Sequence, residues 1–225
     1  MTMKFWSMDI KVDQNTVVVF DLDDTLYNEL DYLRSAYKSI AQHLDQDNWK
    51  LLYSKMFSLY RSKINVFEFL SSSYEIELRM LIAMYRDHQP DIQLFDGVIE
   101  ILQDIQTRNG KIGIITDGRA STQRAKIQSL GILNYIDEII ISEELGSEKP
   151  SLANFKAIEN SLTGTVFYYI ADNLKKDFIA PNTLGWKTIG LIDNGKNIHF
   201  NSHLYMERQN LPQEFIIGFN DVKIN

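Results

Sequence analysis

Val17-Val18-Val19-Phe20-Asp21-Leu22-Asp23-Asp24-Thr25-Leu26-Tyr27 joins an unbroken apolar run to a cluster of carboxylates. The four apolar residues, three of them β-branched, show no alternation and are too few for a helix. Such a segment reads as a strand buried on both faces. Strands of this kind belong to parallel sheets, whose ligands bind beyond the carboxyl ends of the strands. Asp21 falls at that end, and Asp23 points to the same side if the extended conformation continues. Two acids facing one spot repel each other unless a cation or a shared proton intervenes. The stretch asks for a metal.

The same pattern recurs downstream at Ile112–Ile115, Ile139–Ile141, Val166–Ile170 and Thr188–Ile192. Each run ends on a polar residue: Thr116, Ser142, Asp172 and Asp193 respectively. Helical patterns lie between them. Val98–Arg108 stops at Asn109-Gly110, and Ser121–Leu130 stops at Gly131. Pro150–Asn160 opens with a proline suited to a first helical turn. Alternating strand and helix predicts an α/β fold, a doubly wound, Rossmann-like parallel sheet of about five or six strands. Phe215–Ile217 is a candidate edge strand.

One crossover is far too long. About 90 residues separate Asp21 from Ile112, where βα units take about 15 to 25. Leu30, Leu33, Tyr37, Ile40, Ala41 and Leu44 recur at helical spacing, with Asn28 available as N-cap. Trp49, Leu52, Tyr53, Met56, Phe57 and Tyr60 repeat the pattern, and Ile76–Tyr85 adds a further helical segment. This predicts a helical lobe over 28–90, inserted after the first strand and standing over Asp21. The core is then discontinuous, 1–27 plus 91–225.

Composition narrows the class. The hydrophobic share of 44% and charged share of 24% are those of an ordinary globular chain. A formal net charge of −7 argues against nucleic acid or an anionic membrane as main partner. The absence of cysteine excludes disulfides, thiolate metal sites and a cysteine nucleophile. Met1–Gln14 is broken by charges and offers no apolar leader core, so a cytoplasmic location is expected. The four histidines show no ligand spacing.

The chemistry gathers at the strand ends. Thr116 precedes Asp117-Gly118, a hydroxyl beside a turn whose backbone N–H groups suit a phosphate or carboxylate oxygen. Lys149, held extended before Pro150, projects from a loop. Asp172 ends a strand, and Asp177 follows five residues later; a helix starting near Asn173 brings both acids toward one ion. Four acids, a threonine and a lysine call for a hard cation with oxygen ligands. Without Cys or a His pair, Mg²⁺ fits better than Zn²⁺.

Asp21-Leu22-Asp23-Asp24-Thr25-Leu26, Ile114-Ile115-Thr116-Asp117-Gly118, Glu148-Lys149-Pro150 and Ala171-Asp172-Asn173-Leu174-Lys175-Lys176-Asp177 resemble, in order, the four motifs of the haloacid dehalogenase-like hydrolase superfamily. The resemblance covers about 15–30 and 94–192, leaving the lobe and the tail outside it. It implies that Asp21 is a nucleophile giving an aspartyl-phosphate and that Asp23 is the general acid/base. Thr116 and the nearby backbone, at Leu22, Asp117 and Gly118, would hold phosphoryl oxygens, with Lys149 balancing their charge. Mg²⁺ would be bound by Asp21, the Asp23 carbonyl and Asp172, with Asp177 in support. The lobe at 28–90 would be a helical cap that excludes water and chooses the substrate. An acid at position 23 points to phosphate rather than halide chemistry.

The expected activity is a Mg²⁺-dependent phosphomonoesterase acting on a small phosphorylated metabolite. A phosphomutase would use the same residues and return the phosphoryl group, and a catalytically silent binding module is a further alternative. Neither monomer nor homodimer is preferred by the sequence. Ala171, where many members carry glycine, and Pro181, expected to end or kink a helix begun near Leu174, depart from the family pattern.

Overall fold

The computed structural model describes residues 8–225, so half of Met1–Gln14 lies outside the described residues. The chain divides into two compact units, one of 8–29 with Gln93–Asn225 and one of Leu30–Ile92. No described helix is long and apolar enough to cross a membrane.

In chain order come β1 (Met8–Ile10), β2 (Thr16–Phe20), α1 (Glu29–Leu44), α2 (Trp49–Arg61), α3 (Val66–Tyr74), α4 (Leu78–Asp87) and α5 (Val98–Thr107). They are followed by β3 (Lys111–Thr116), α6 (Ala120–Ser129), β4 (Glu138–Ile141), α7 (Ser142–Leu145) and α8 (Leu152–Ser161). The chain then forms β5 (Val166–Ala171), α9 (Ile179–Thr183), β6 (Lys187–Leu191), β7 (Glu214–Ile216) and β8 (Val222–Ile224).

Six strands form one parallel sheet in the order β4-β3-β2-β5-β6-β7. From β2 the chain winds outward through β3 and β4, then returns to the other side for β5, β6 and β7. The reversal lies at β2, where an open α/β sheet splays its loops apart and makes room for a ligand. Phe20 is level with Ile114 on one side and Ile170 on the other, which brings the three strand ends together. Val17, Val18, Val19 and Phe20 are wholly buried, each contributing about 1.5–3 kcal/mol through the area removed from water. Val17 and Val19 pack with Ile115, Phe155, Ile158, Tyr169 and Trp186 on one face.

The edge strand expected at Phe215–Ile217 is present one residue earlier. A second, two-stranded parallel sheet pairs β1 with β8, a long-range contact that no local pattern announced.

Several local expectations need correction. Pro150 precedes its helix: Ser151 is the N-cap of α8, its hydroxyl accepting the Ala153 N–H. Asn28 does not cap α1; its amide exchanges hydrogen bonds with Asn194, and Asp24 Oδ1 accepts the Glu29 N–H instead. No helix begins near Asn173 or Leu174. The Asn173 carbonyl accepts N–H groups from Lys176 and Asp177 in a turn, and α9 starts only at Ile179. Pro181 therefore sits in a first helical turn, where its missing N–H costs nothing.

The helical unit has its own core of Leu33, Tyr37, Ile40, Ala41, Leu52, Met56, Val66, Leu70 and Leu81. Its aromatic stripe is packing: Tyr37 meets Tyr60, Phe67 and Tyr85 edge to face. The sequence reading passed over α3, where serines and aromatics blur the helical period. Asn65 starts that helix by accepting the Phe67 and Glu68 N–H groups.

Candidate active site

The Asp21 N–H donates to the Ile170 carbonyl (3.0 Å), carrying the ladder one residue past β2. The chain then turns: Leu26 N–H donates to the Leu22 carbonyl, and Asp24 adopts φ 55°, a left-handed conformation that Asp tolerates better than most residues. Buried Asp24 secures the turn, its oxygens accepting N–H groups from Glu29 (2.8 Å) and Ile198 (2.7 Å). Burial pushes its carboxyl up to about 6, against the two backbone donors.

Lys149 reaches this point from the loop before α8. Its fully buried ammonium lies 2.6 Å from Asp21 Oδ1 and 2.7 Å from Asp177 Oδ1, and donates to the Tyr169 hydroxyl at 3.1 Å. Burial opposes its charge, yet Asp177 and Asp21 hold its pKa well above the ordinary lysine value. Asp177 is oriented by its own turn, Oδ2 accepting the Asn173 N–H at 2.9 Å.

Asp21, Asp172 and Asp177 each bring a carboxylate oxygen within 4.8 Å of the others. Burial pushes Asp21 up to about 6, with Lys149 opposing and Asp177 reinforcing the shift. Asp172 is raised well above the carboxylate range by burial first, then by Asp177 and Asp21. The Thr25 hydroxyl reaches toward both Asp21 (3.4 Å) and Asp172 (3.3 Å). Three carboxylates meet here while the Lys149 ammonium pairs with only two of them, Asp21 and Asp177, and all the donors are hard oxygens. This set fits a divalent cation of the Mg²⁺ type.

The Asp23 carboxylate does not join this cluster, contrary to the expectation that two acids face one spot, which leaves only its backbone carbonyl for a metal. It is held by Lys126 Nζ (2.6 Å), Gln123 Nε2 (2.8 Å) and the Tyr27 hydroxyl. Burial would raise its pKa, but Lys126 and the hydrogen bonds outweigh that and hold it below the ordinary carboxylate value. Thr116, buried at the end of β3, accepts from Gln123 Nε2 at 2.5 Å.

The expected phosphate-binding turn is partly engaged within the protein. Gly118 N–H donates to Ser142 Oγ (2.9 Å), so this N–H is not free as the sequence suggested. Asp117 turns its carboxylate to the Lys149 N–H (3.1 Å) and to Lys176 Nζ (2.7 Å). Leu22 is a buried side chain, so only its backbone is available to a ligand. Asp117, Gly118 and Lys149 border a cleft of ≈ 710 Å³ that Lys176, His199 and Tyr205 also line.

Sequence reading missed Lys126, Lys176 and the tail. Asn197 Nδ2 donates to Asp172 Oδ2 at 2.9 Å, and Ile198 N–H secures Asp24, so a polar segment read as irregular is anchored in the site. Only α6 left a trace in the sequence: Gln123 and Lys126 stand three apart, at positions that a helix packed on a core ordinarily gives to apolar residues.

Residues 18–191 match the sequence model of a family described as haloacid dehalogenase-like hydrolase. Glyceraldehyde 3-phosphate phosphatase of Methanocaldococcus jannaschii is 24% identical over 192 residues, 78% of this chain and 84% of that protein. YfnB of Bacillus subtilis, a structure described as a HAD-hydrolase bound to magnesium, superposes with TM-score 0.59 at 20% identity, covering 93% of this chain and 97% of its own. A Thermotoga maritima structure described as a β-phosphoglucomutase gives TM-score 0.66 at 15% identity, covering 92% of this chain and 96% of its own.

Proposed function

Because the chain belongs to the haloacid dehalogenase-like hydrolase family, we propose that it is a Mg²⁺-dependent phosphomonoesterase acting on a small phosphorylated metabolite. One observation carries the reading: Lys149 and the acids Asp21, Asp172 and Asp177, from three separate parts of the chain, meet where the sheet order reverses. The phosphatase name of the Methanocaldococcus jannaschii relative supports it.

In this reading Asp21 attacks phosphorus, forming an aspartyl-phosphate as the bond to the leaving oxygen breaks. Asp23 gives its proton to that oxygen. The first step needs Asp23 protonated, and a phosphate monoester bound as its monoanion carries the proton that ionised Asp23 lacks. Asp23 then takes a proton from water, which attacks the aspartyl-phosphate, frees inorganic phosphate and restores Asp21. Lys149 balances the phosphoryl charge, and the Thr116 hydroxyl holds a phosphoryl oxygen. Asp21, Asp172 and the Asp23 carbonyl would hold Mg²⁺, with Asp177 supporting them. The cation supplies positive charge against the phosphoryl oxygens. The helical unit is the cap of this reading and selects the substrate.

The test is phosphate release over sugar phosphates, nucleotides and phosphorylated acids, with and without Mg²⁺, with Asp21→Asn as the blank. Wild type should exceed the blank on at least one substrate class, and only with Mg²⁺. Equal rates on every substrate would refute the assignment.

A further inference from the structure

The Asp23 carboxylate is gripped from two directions. Tyr27 donates to Oδ1 from within its own turn. From α6, Lys126 also reaches Oδ1, and Gln123 donates to Oδ2. With both oxygens engaged, the plane of the carboxylate is set. Gln123 and Lys126 stand three residues apart and so share one helix face. Both are buried, and the Lys126 side chain is only 4% exposed.

Packing alone does not account for this face. Burying an ammonium is costly, and a well-packed apolar residue in place of a buried charge often serves stability as well or better. Gln123 makes a second contact that points to function: its Nε2 also donates to Thr116 Oγ1. One amide therefore bridges the carboxylate at the end of β2 and the hydroxyl at the end of β3.

We propose that α6 is a positioning element of the active site, in which Lys126 and Gln123 set the Asp23 carboxylate in place relative to the Thr116 hydroxyl. The inference rests on the hydrolase reading above. Lys126 and Gln123 act through Asp23 and Thr116 and are positioning residues, not catalytic ones. Lys126 matters only as far as Asp23 does, which makes the idea measurable.

The experiment is a double-mutant cycle of Lys126→Met and Asp23→Asn with Mg²⁺ on the alkyl phosphate ester that wild type hydrolyses fastest in the screen above, whose leaving oxygen needs the proton that Asp23 supplies. Lys126→Met should lower kcat about tenfold or more with KM within about twofold, and Lys126→Arg should recover much of the loss. In the Asp23→Asn background, Lys126→Met should change kcat by less than about twofold. Losses that multiply, or a Lys126→Met enzyme as active as wild type, overturn the proposal. Lys126→Gln, which keeps a donor without the charge, covers the case in which the methionine variant does not fold. If both unfold by circular dichroism, the lysine is structural and the proposal fails. If wild type releases no phosphate from any ester, the hydrolase reading falls and takes this inference with it, an outcome distinct from multiplying losses in an active enzyme.

Discussion

Lys149 Nζ lies 2.6 Å from Asp21 Oδ1, joining residues 128 positions apart in the chain. Neither side chain could be buried alone at reasonable cost, because an isolated charge in a protein interior is heavily penalised. Asp177, 2.7 Å away, shares the same ammonium. The site is thus held together by charges that need one another.

Removing that ammonium should be severe. Lys149→Met leaves Asp21 and Asp177 facing each other in the interior, and breaking a buried pair from one side typically costs about 3–5 kcal/mol. Urea denaturation without metal should show a loss of that size, and phosphate release should disappear. An unchanged denaturation midpoint would contradict the burial account.

Asp172 tests the crowding from the other side. Without metal its carboxylate is disfavoured by burial and by Asp177 and Asp21, so Asp172→Asn should melt higher than wild type in EDTA. Adding Mg²⁺ should raise the melting temperature of wild type, since a ligand that binds only the folded state stabilises it, and should do little for the variant. Equal Mg²⁺ responses in a thermal melt would remove Asp172 from the ligand set.

The tail offers a subtler measurement. Asn197 donates to Asp172 Oδ2 and so fixes how that carboxylate is presented. Groups that orient a metal ligand typically matter about 10- to 100-fold in affinity. Titration calorimetry should find Mg²⁺ bound at least about tenfold more weakly by Asn197→Ala, with the metal-free melting temperature nearly unchanged.

Glu29 predicts a pH effect on stability. Burial first, then Asp23 and Asp24, push its carboxyl up from 4.5 to about 8, with Lys126 opposing. Between those values the folded state keeps a proton that the unfolded state has released, so stability falls as pH rises and the loss is complete above about 8. The cost at pH 9 is on the order of 5 kcal/mol. Glu29→Gln should match wild type near pH 4 and exceed it at pH 9 in metal-free urea titrations. A constant difference across that range would show that Glu29 is not the titrating group.

Much of the fold was legible because its signals are local. The run Val17–Phe20, its four repeats and the Gly and Asn stops are each written in neighbouring residues, and burial on both faces of a parallel strand needs such runs. Asp21, Thr116 and Asp172 could be assigned to strand ends, and Lys149 to the loop before a helix, for the same reason. Local signals misled where a short polar residue had two possible partners. Asn28 has the chemistry of a cap, but Asn194 takes its amide and Asp24 does the capping.

What the chain by itself determined is which residues stand at the ends of which strands, since period and punctuation decide where a strand stops. Only the tertiary structure decided how their charges are shared. It separated the Asp23 carboxylate from the other acids and gave it to Lys126, drew Asn197 and Ile198 into the site, and closed the Gly118 N–H with Ser142. The physical reason is that hydrogen bonds and ion pairs act over a few ångströms of space. Which groups come that close depends on strand register and helix packing, and these bring together residues from distant parts of the chain.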